Sequence, residues 1–236
     1  MTENFIEKDQ AIMSLANNYL DFLFSLVAPF QHGEVLEIGS GRGNLTEMAL
    51  KHKSSHIKSI SCIEPDPICV SRLRKMSENY GTKTRIIDGF FPDAIPDSRD
   101  FDLIYSFNVF EHIRDDQDAI ITAYNLLKKN GILLAYVPAF PILYGSMDRA
   151  LNHYRRYSKQ DIKEKFIKSG LTITKLRYFN FIGFFGWLVN NRIFKIKEQK
   201  TSQVRLFDTL LPLQIKIEKK IEPFFGQNIL IIGTKE

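Results

Sequence analysis

The chain has 236 residues, 44% of them hydrophobic and 25% charged, which suits one large domain, or a domain with a cap, able to bury its own core. Its two cysteines, Cys62 and Cys69, have no CxxC spacing and no His/Cys cluster beside them, so neither a disulfide framework nor a zinc site is indicated. A net charge of +5 and a pI of about 9.1 raise nucleic acid or an anionic membrane as partners. The basic residues are nevertheless spread out, Glu198 interrupts the densest run at Lys195 to Lys200, and no nucleic-acid-binding motif is present.

Met1 to Gln10 is polar and acidic where a secretory signal would be basic and then apolar, which points to the cytoplasm. Residues 11–27 place Ile12, Leu15, Tyr19, Phe22, Leu23 and Leu26 at helical spacing and predict an amphipathic helix closed by Pro29. Val35 to Ile38 predicts a strand that breaks into Gly39-Ser40-Gly41-Arg42-Gly43, and Asn44 to His52 a helix. A strand at Ile60 to Glu64, a helix opening at Pro67 and a strand at Thr84 to Asp88 follow. Phe101 to Ser106 reads as a strand, Gln117 to Leu127 as a helix, and Gly131 to Val137 as a strand after a Lys-Lys-Asn-Gly turn. A helix from Tyr157-Ser158 to Ser169, with Gly170 as its C-cap, leads into a strand at Leu171 to Tyr178. Ile229 to Gly233 is the seventh and last strand. Before it lies an irregular apolar insert: Phe179 to Val189, too short for the about 20 residues of a membrane span, then 203–222 with Leu206, Phe207, Leu210, Leu211 and Ile215 at helical spacing. Strands alternating with helices in this way predict an α/β fold whose parallel sheet is covered on both faces, and no internal repeat is present.

The first strand ends in a glycine loop at the position where open α/β sheets bind ligands. Its spacing is GxGxG, not the GxGxxG of the dinucleotide fingerprint. Glu37, just before it, is placed to meet a cationic amino group. Glu64 ends the second strand 21 positions after Gly43 and suits ribose hydroxyls. Asp88, in Asp88-Gly89-Phe90, suits an adenine amino group with Phe90 against the ring. Taken singly, each acid has an ordinary reading: Glu37 as a buried strand acid paired elsewhere, Asp88 as a turn residue.

Five segments taken together resemble class I S-adenosylmethionine (SAM)-dependent methyltransferases. They are EIGSGRGN (37–44), IEPDP (63–67), IDGFFP (87–92), FDLIYSFNVFEHI (101–113) and LLKKNGILLAYVP (126–138), spanning about residues 33 to 140. The resemblance implies a Rossmann-like seven-stranded sheet, mostly parallel with an antiparallel last strand, helices on both faces and helical cap elements. It implies a division into an N-terminal helical cap (1–30), a SAM-binding core (31–140) and a substrate-side insert with the remaining strands (141–236). It implies SAM as cofactor, with Gly39, Gly41 and Gly43 along the methionine end and Glu37 at its amino group. Glu64 would hold the ribose, Asp88 and Phe90 would meet the adenine, and Asn108 would lie under the cofactor. Asn44, Pro65 and Gly89 complete the expected set.

On the substrate side, the loop Asn108-Val-Phe-Glu111-His112 faces the transferred methyl in the family resembled. His112 reads either as a general base or as a residue that orders the loop. Asp148 to Tyr157 then gathers a histidine, two tyrosines, three arginines and an acid in ten residues. Its HYRRY stretch resembles a subgroup of bacterial small-molecule methyltransferases associated with glycosyltransferases and surface glycan assembly. On that reading His153 is a second candidate base, and Tyr154, Arg155, Arg156 and Tyr157 contact substrate, the arginine forks suiting phosphate or carboxylate. The alternative is an Arg/Asp network that pins the cap to the sheet. Phe179 to Val189 reads as a buried helix, as a lid, or, with Lys195 and Lys197, as a peripheral contact through 179–197 at the inner face of the membrane.

No metal-ligating cluster is visible in the sequence, so no metal is expected. The expected reaction is methyl transfer to a small-molecule acceptor, on an oxygen of a sugar, a lipid-linked compound or a secondary metabolite. An RNA methyltransferase is the alternative acceptor class, although Asn108-Val-Phe-Glu111 stands where many amino-directed nucleic-acid enzymes carry Asn-Pro-Pro-Tyr. A dehydrogenase is disfavoured by the glycine spacing and the lack of a Tyr-x-x-x-Lys pair. A SAM-binding partner subunit without turnover is the alternative outside enzymes, and no oligomeric state follows from the chain.

Overall fold

Strand-length apolar runs punctuated by glycine and charged turns form the strands of the computed structural model, which describes residues 11–52, 56–95, 100–196 and 201–236. In chain order the strands are β1 (His32–Ile38), β2 (His56–Glu64), β3 (Thr84–Asp88), β4 (Phe101–Phe107), β5 (Leu127–Pro138), β6 (Leu171–Phe179) and β7 (Asn228–Lys235). They build one seven-stranded sheet in the order β3-β2-β1-β4-β5-β7-β6. Strands β1 to β5 pair in parallel, and β7 runs antiparallel to both β5 and β6. This is the Rossmann-like arrangement expected, antiparallel last strand included. The chain reverses direction in the strand order beside β1 and β4, which opens the crevice at their carboxyl ends.

The helices are α1 (Asn17–Val27), α2 (Asn44–Lys51), α3 (Pro67–Ser77), α4 (Asp116–Leu126), α5 (Ser146–Ala150), α6 (Lys159–Lys168), α7 (Phe181–Trp187) and α8 (Thr201–Lys220). The central strands are buried on both faces, which is why they read as near-continuous apolar runs. Leu36, Ile104 and Leu133 face Ile120 of α4 and Phe166 of α6 on one side. Val35, Leu103 and Leu134 face Phe22, Leu23 and Val27 of α1 on the other. Each such side chain, fully removed from water, contributes roughly 1.5–3 kcal/mol.

Local differences from the sequence expectations have identifiable causes. The helix expected over 11–27 is interrupted: Ala16 leaves helical geometry (φ −87°, ψ 75°), and α1 begins at Asn17. The cap comes from far along the chain, where the Asp208 carboxylate of α8 accepts the N–H groups of Asn18 (3.3 Å) and Tyr19 (2.9 Å). Leu15, expected on the apolar face, falls in the turn and is exposed. The Lys-Lys-Asn-Gly segment is no turn between elements. It lies within β5, which follows α4 directly, with Asn130 at φ 63° and a register shift against β4 between Phe101 and Leu103. A Cβ on Gly131 would lie 2.8 Å from the Phe101 carbonyl oxygen, so a side chain there would push β4 away. The helix after Tyr157 starts at Lys159, because Ser158 caps it by accepting the Asp161 N–H at 3.0 Å. The apolar insert is helical: α7 continues into a π-helical turn at Leu188–Ile193, and α8 follows. Among the described residues, no helix is long and apolar enough to cross a membrane.

Candidate active site

A cavity of about 670 Å³ opens at the carboxyl ends of β1, β2, β4 and β5. Its floor is the glycine loop, and its roof is drawn from Tyr19 and Leu23 of α1, Trp187 of α7, and Val204 and Phe207 of α8. The loop geometry explains the GxGxG spacing. Gly39, Gly41 and Gly43 have φ of 71°, 53° and 79°, a region where side chains are strained. A Cβ on Gly39 would fall on Val109 Cγ2, and one on Gly43 would lie 2.7 Å from Leu73 Cδ2. Asn44 opens α2 immediately after the loop and lines the cavity.

Three of the four acids in or beside this region line the cavity. Glu37 is 3% exposed and accepts a short hydrogen bond from the Thr46 hydroxyl. Burial pushes its carboxyl up to about 7, against which the hydrogen bond from Thr46 acts. Glu64 is also buried, and burial raises it as well. Its Oε2 accepts the Gly41 N–H at 2.7 Å and its Oε1 the Asp66 N–H at 3.0 Å, so the carboxylate shapes the loop while lining the cavity with Pro65. Asp66, which the sequence reading passed over, lines it too while capping α3. Asp88 does not. Its side chain is 52% exposed, 3.7 Å from Arg74 Nη2, in a separate cleft with Val70 and Lys75. The expected contact between Asp88 and adenine thus has no counterpart in the cavity lining, where Phe90 is the member of the Asp88-Gly89-Phe90 segment that faces the space. Gly89 lies outside the cavity lining and donates its N–H to the Glu64 carbonyl at 3.2 Å. Phe90 is 71% exposed and lines the cavity with its ring uncovered.

Asn108 follows β4 in left-handed geometry (φ 53°), held by its N–H on the Tyr136 carbonyl (2.7 Å) and by Asn228 Nδ2 on its Oδ1 (3.1 Å). These features fit SAM. A buried carboxylate raised to about 7 calls for a cation such as the amino group, an uncovered aromatic face suits a purine, and Glu64 retains lone pairs for ribose hydroxyls.

At the far end of the cavity, Phe110–His112 forms one turn of 3-10 helix that brings Glu111 and His112 against His153. The two imidazoles meet edge to face with centroids 4.6 Å apart. Burial, and next the neighbouring His153, push His112 down to about 3, so it stays neutral and is a poor acceptor of a proton. Glu111 is 0% exposed and burial pushes it up to about 7. Neither of its oxygens has a hydrogen-bond partner among the described residues. His153 Nδ1 lies 3.0 Å from Asp148 Oδ1. Although burial alone would raise Asp148, hydrogen bonding by His153 and the Arg156 charge hold it down at about 2. Beside a carboxylate that stays charged, Nδ1 is the donor.

The HYRRY stretch divides. His153 and Arg156 line the cavity, but the Arg156 guanidinium is committed to Asp148 (Nε, 2.7 Å), the Ala139 carbonyl (Nη1, 3.2 Å) and the Trp187 ring (4.5 Å). Asp148 also accepts from the Gly145 N–H (2.9 Å) and Asn191 Nδ2 (2.8 Å), so this network ties α5 and the turn after α7 to the sheet. Tyr157 is wholly buried outside the cavity, with its hydroxyl on Asp116 at 2.8 Å, and Arg155 also pairs with Asp116. Tyr154 is half exposed, also outside the cavity, beside Arg114 and Arg155. The expected substrate contacts of Tyr154, Arg155 and Tyr157 are thus corrected, and the pinning network takes their place. Asp116 and Asp148 supply the charge that a reading of the basic stretch alone could not assign.

Within the apolar segment, Gly183, Gly186 and Trp187 line the cavity, so α7 serves as part of the roof. Its start is fixed by Glu218, which accepts the Asn180 (3.2 Å) and Phe181 (2.9 Å) N–H groups from α8. Lys197 and the rest of the 197–200 run, like Met1 to Gln10, lie outside the described residues.

Residues 10–176 match the model of a methyltransferase domain family. An uncharacterized methyltransferase from Geobacillus sp. (strain WCH70) is 29% identical over 183 residues, covering 70% of this chain and 82% of the relative. Among solved structures, the Haloferax volcanii methyltransferase seen in complex with the activator Trm112 superposes with a TM-score of 0.69 at 14% identity, covering 99% of this chain and 97% of that one. Geranyl diphosphate methyltransferase in complex with SAM gives a TM-score of 0.66 at 11% identity, covering 92% and 84%. At these identities the structural likeness establishes the fold.

Proposed function

The chain belongs to the methyltransferase domain family and is a SAM-dependent methyltransferase; from that premise we propose that it methylates an oxygen of a small molecule, a sugar, a lipid-linked compound or a secondary metabolite. The observation that carries this reading is the shape of the cavity. The space of about 670 Å³ runs from the glycine loop to His112 and His153 beneath α1, α7 and α8. A cavity of that volume, partly covered by the roof helices, suits SAM together with an acceptor of ordinary small-molecule size. The solved geranyl diphosphate methyltransferase, named for a small acceptor, has the same fold.

Bound SAM supplies an electrophilic methyl group at its sulfonium. The task of the chain is to hold, align and dry the reactants. Glu37 and the glycine loop hold the amino-acid end, Glu64 the ribose and Phe90 the base. The roof helices exclude water. The polar end at His112 and His153 receives the acceptor hydroxyl, whose proton is lost there. Phe185, Phe194 and Phe224, exposed on and around the roof elements, support a lipid-linked acceptor and with it a peripheral contact through 179–197 at the inner face of the membrane.

The test is to incubate the protein with methyl-labelled SAM and a cell extract separated into small-molecule, lipid, nucleic-acid and protein fractions. Label is expected in the small-molecule or lipid fraction, in a product whose methyl is ether-linked. Label in RNA or protein would overturn the assignment. His153→Asn should then retain SAM binding while turnover falls by about 10²- to 10⁴-fold.

A further inference from the structure

The groups at the acceptor end of the cavity present a mutual problem that no hydrogen bond among them solves. Glu111, His112 and His153 each offer one ligand atom within 4.8 Å of the others. His153 Nδ1 lies 3.0 Å from Asp148 Oδ1, so that ring nitrogen is already engaged away from Glu111. Both imidazoles stand beside the Glu111 carboxyl, which is wholly buried and has no hydrogen-bond partner on either oxygen among the described residues. An ordinary buried Glu–His pair would place an imidazole N–H on the carboxylate, but here neither ring hydrogen-bonds to it.

We propose that Glu111, His112 and His153 hold a divalent transition-metal ion, with open coordination positions facing the cavity. Two imidazoles and one carboxylate form a donor set suited to Zn²⁺, Mn²⁺ or Fe²⁺, and three protein ligands leave room for water or substrate. The His153–Asp148 contact matches the habit of metal-binding histidines, whose second ring nitrogen donates to a carboxylate or a backbone carbonyl and so fixes the tautomer. With metal–ligand bonds of about 2.1 Å, ligands around a tetrahedral centre lie about 3.4 Å apart, so small side-chain rotations close the site. The backbone is already tied across it: the Tyr154 N–H donates to the Glu111 carbonyl at 2.8 Å. The sequence hid the group because Glu111 and His112 lie on one turn and His153 on another, with no recognisable ligand spacing. The site deepens the reading of this end of the cavity, since a bound ion would take an acceptor oxygen as its open ligand and acidify its proton. With the ion bound, the loss in His153→Asn is the loss of a ligand.

The test uses the full chain, chelator-treated and dialysed, titrated with Co²⁺ and with Zn²⁺ in the absence of any acceptor. The expected result is one ion per chain, with visible Co²⁺ absorption bands. Glu111→Gln and His112→Asn should each weaken binding at least about tenfold and alter or abolish the bands, while SAM binding by calorimetry reports an intact fold. Should one variant fail to bind SAM, the other decides. No saturable binding by the wild-type chain at millimolar metal would overturn the proposal, as would variants that bind metal like wild type. Because metal binding is read without an acceptor, a failed acceptor assignment leaves this result standing.

Discussion

Glu37→Gln tests the link between cofactor binding and stability. In the cofactor-free chain this carboxyl is raised from its ordinary 4.5 to about 7, chiefly by burial. A group whose folded value lies above its unfolded one stabilises the fold fully below pH 4.5, and that contribution is lost as the pH rises through 7. At about 1.36 kcal/mol for each tenfold change in proton affinity, the difference amounts to about 3 kcal/mol of stability missing at pH 8. Glutamine has nearly the same volume, and its amide oxygen can still accept the Thr46 hydroxyl, so the substitution removes the buried charge and little else. For a chain of this size, about 2–4 °C accompanies each kcal/mol. The melting temperature of SAM-free Glu37→Gln should therefore exceed wild type by about 5–10 °C at pH 8, with the gap closing towards pH 5. SAM affinity should move the opposite way, falling by about 10- to 100-fold, because the ammonium loses a charged acceptor. Scanning fluorimetry across pH and calorimetry with SAM measure the two halves. A variant less stable than wild type at pH 8, or one that binds SAM equally well, would refute the reasoning.

Asp148→Asn should leave the buried Arg156 uncompensated and cost about 3–5 kcal/mol, lowering the melting temperature by about 10 °C. A melting temperature unchanged within error would show that the network does not pin the roof. Phe90→Ala, at a position 71% exposed, should leave stability within about 0.5 kcal/mol while weakening SAM by about 1–3 kcal/mol in calorimetry. A drop in stability without a change in affinity would make Phe90 structural. Gly39→Ala should lose SAM binding and about 1–3 kcal/mol of stability, because φ of 71° and the overlap with Val109 both oppose a methyl group. Adding Val109→Ala should recover part of the stability, and recovery of none would leave backbone strain as the whole effect.

What the chain reveals about itself follows the range of the forces involved. The strand periods, the glycine loop and the acids at Glu37 and Glu64 lie within single strand–loop–helix units. Local backbone preference and alternating burial specify them there, so they and the Rossmann-like class were legible in the sequence. Asp88 was read correctly as a strand end, but its side chain lies outside the cavity lining, near Arg74 on the neighbouring helix. The start of α1 depends on Asp208, 190 residues from Asn18 along the chain. The HYRRY residues take their roles from Asp116 and Asp148, acids whose distances from those arginines exist only in the folded molecule. Glu111, His112 and His153 are similarly silent as a string of letters, since no fixed spacing relates two loops that are free to pack in many ways. Residue type and local period determine which elements form and where the glycine loop opens. Which buried charge meets which partner, and so which polar groups remain for chemistry, is decided by the packing of distant elements, because electrostatic pairing acts across space and not along the chain.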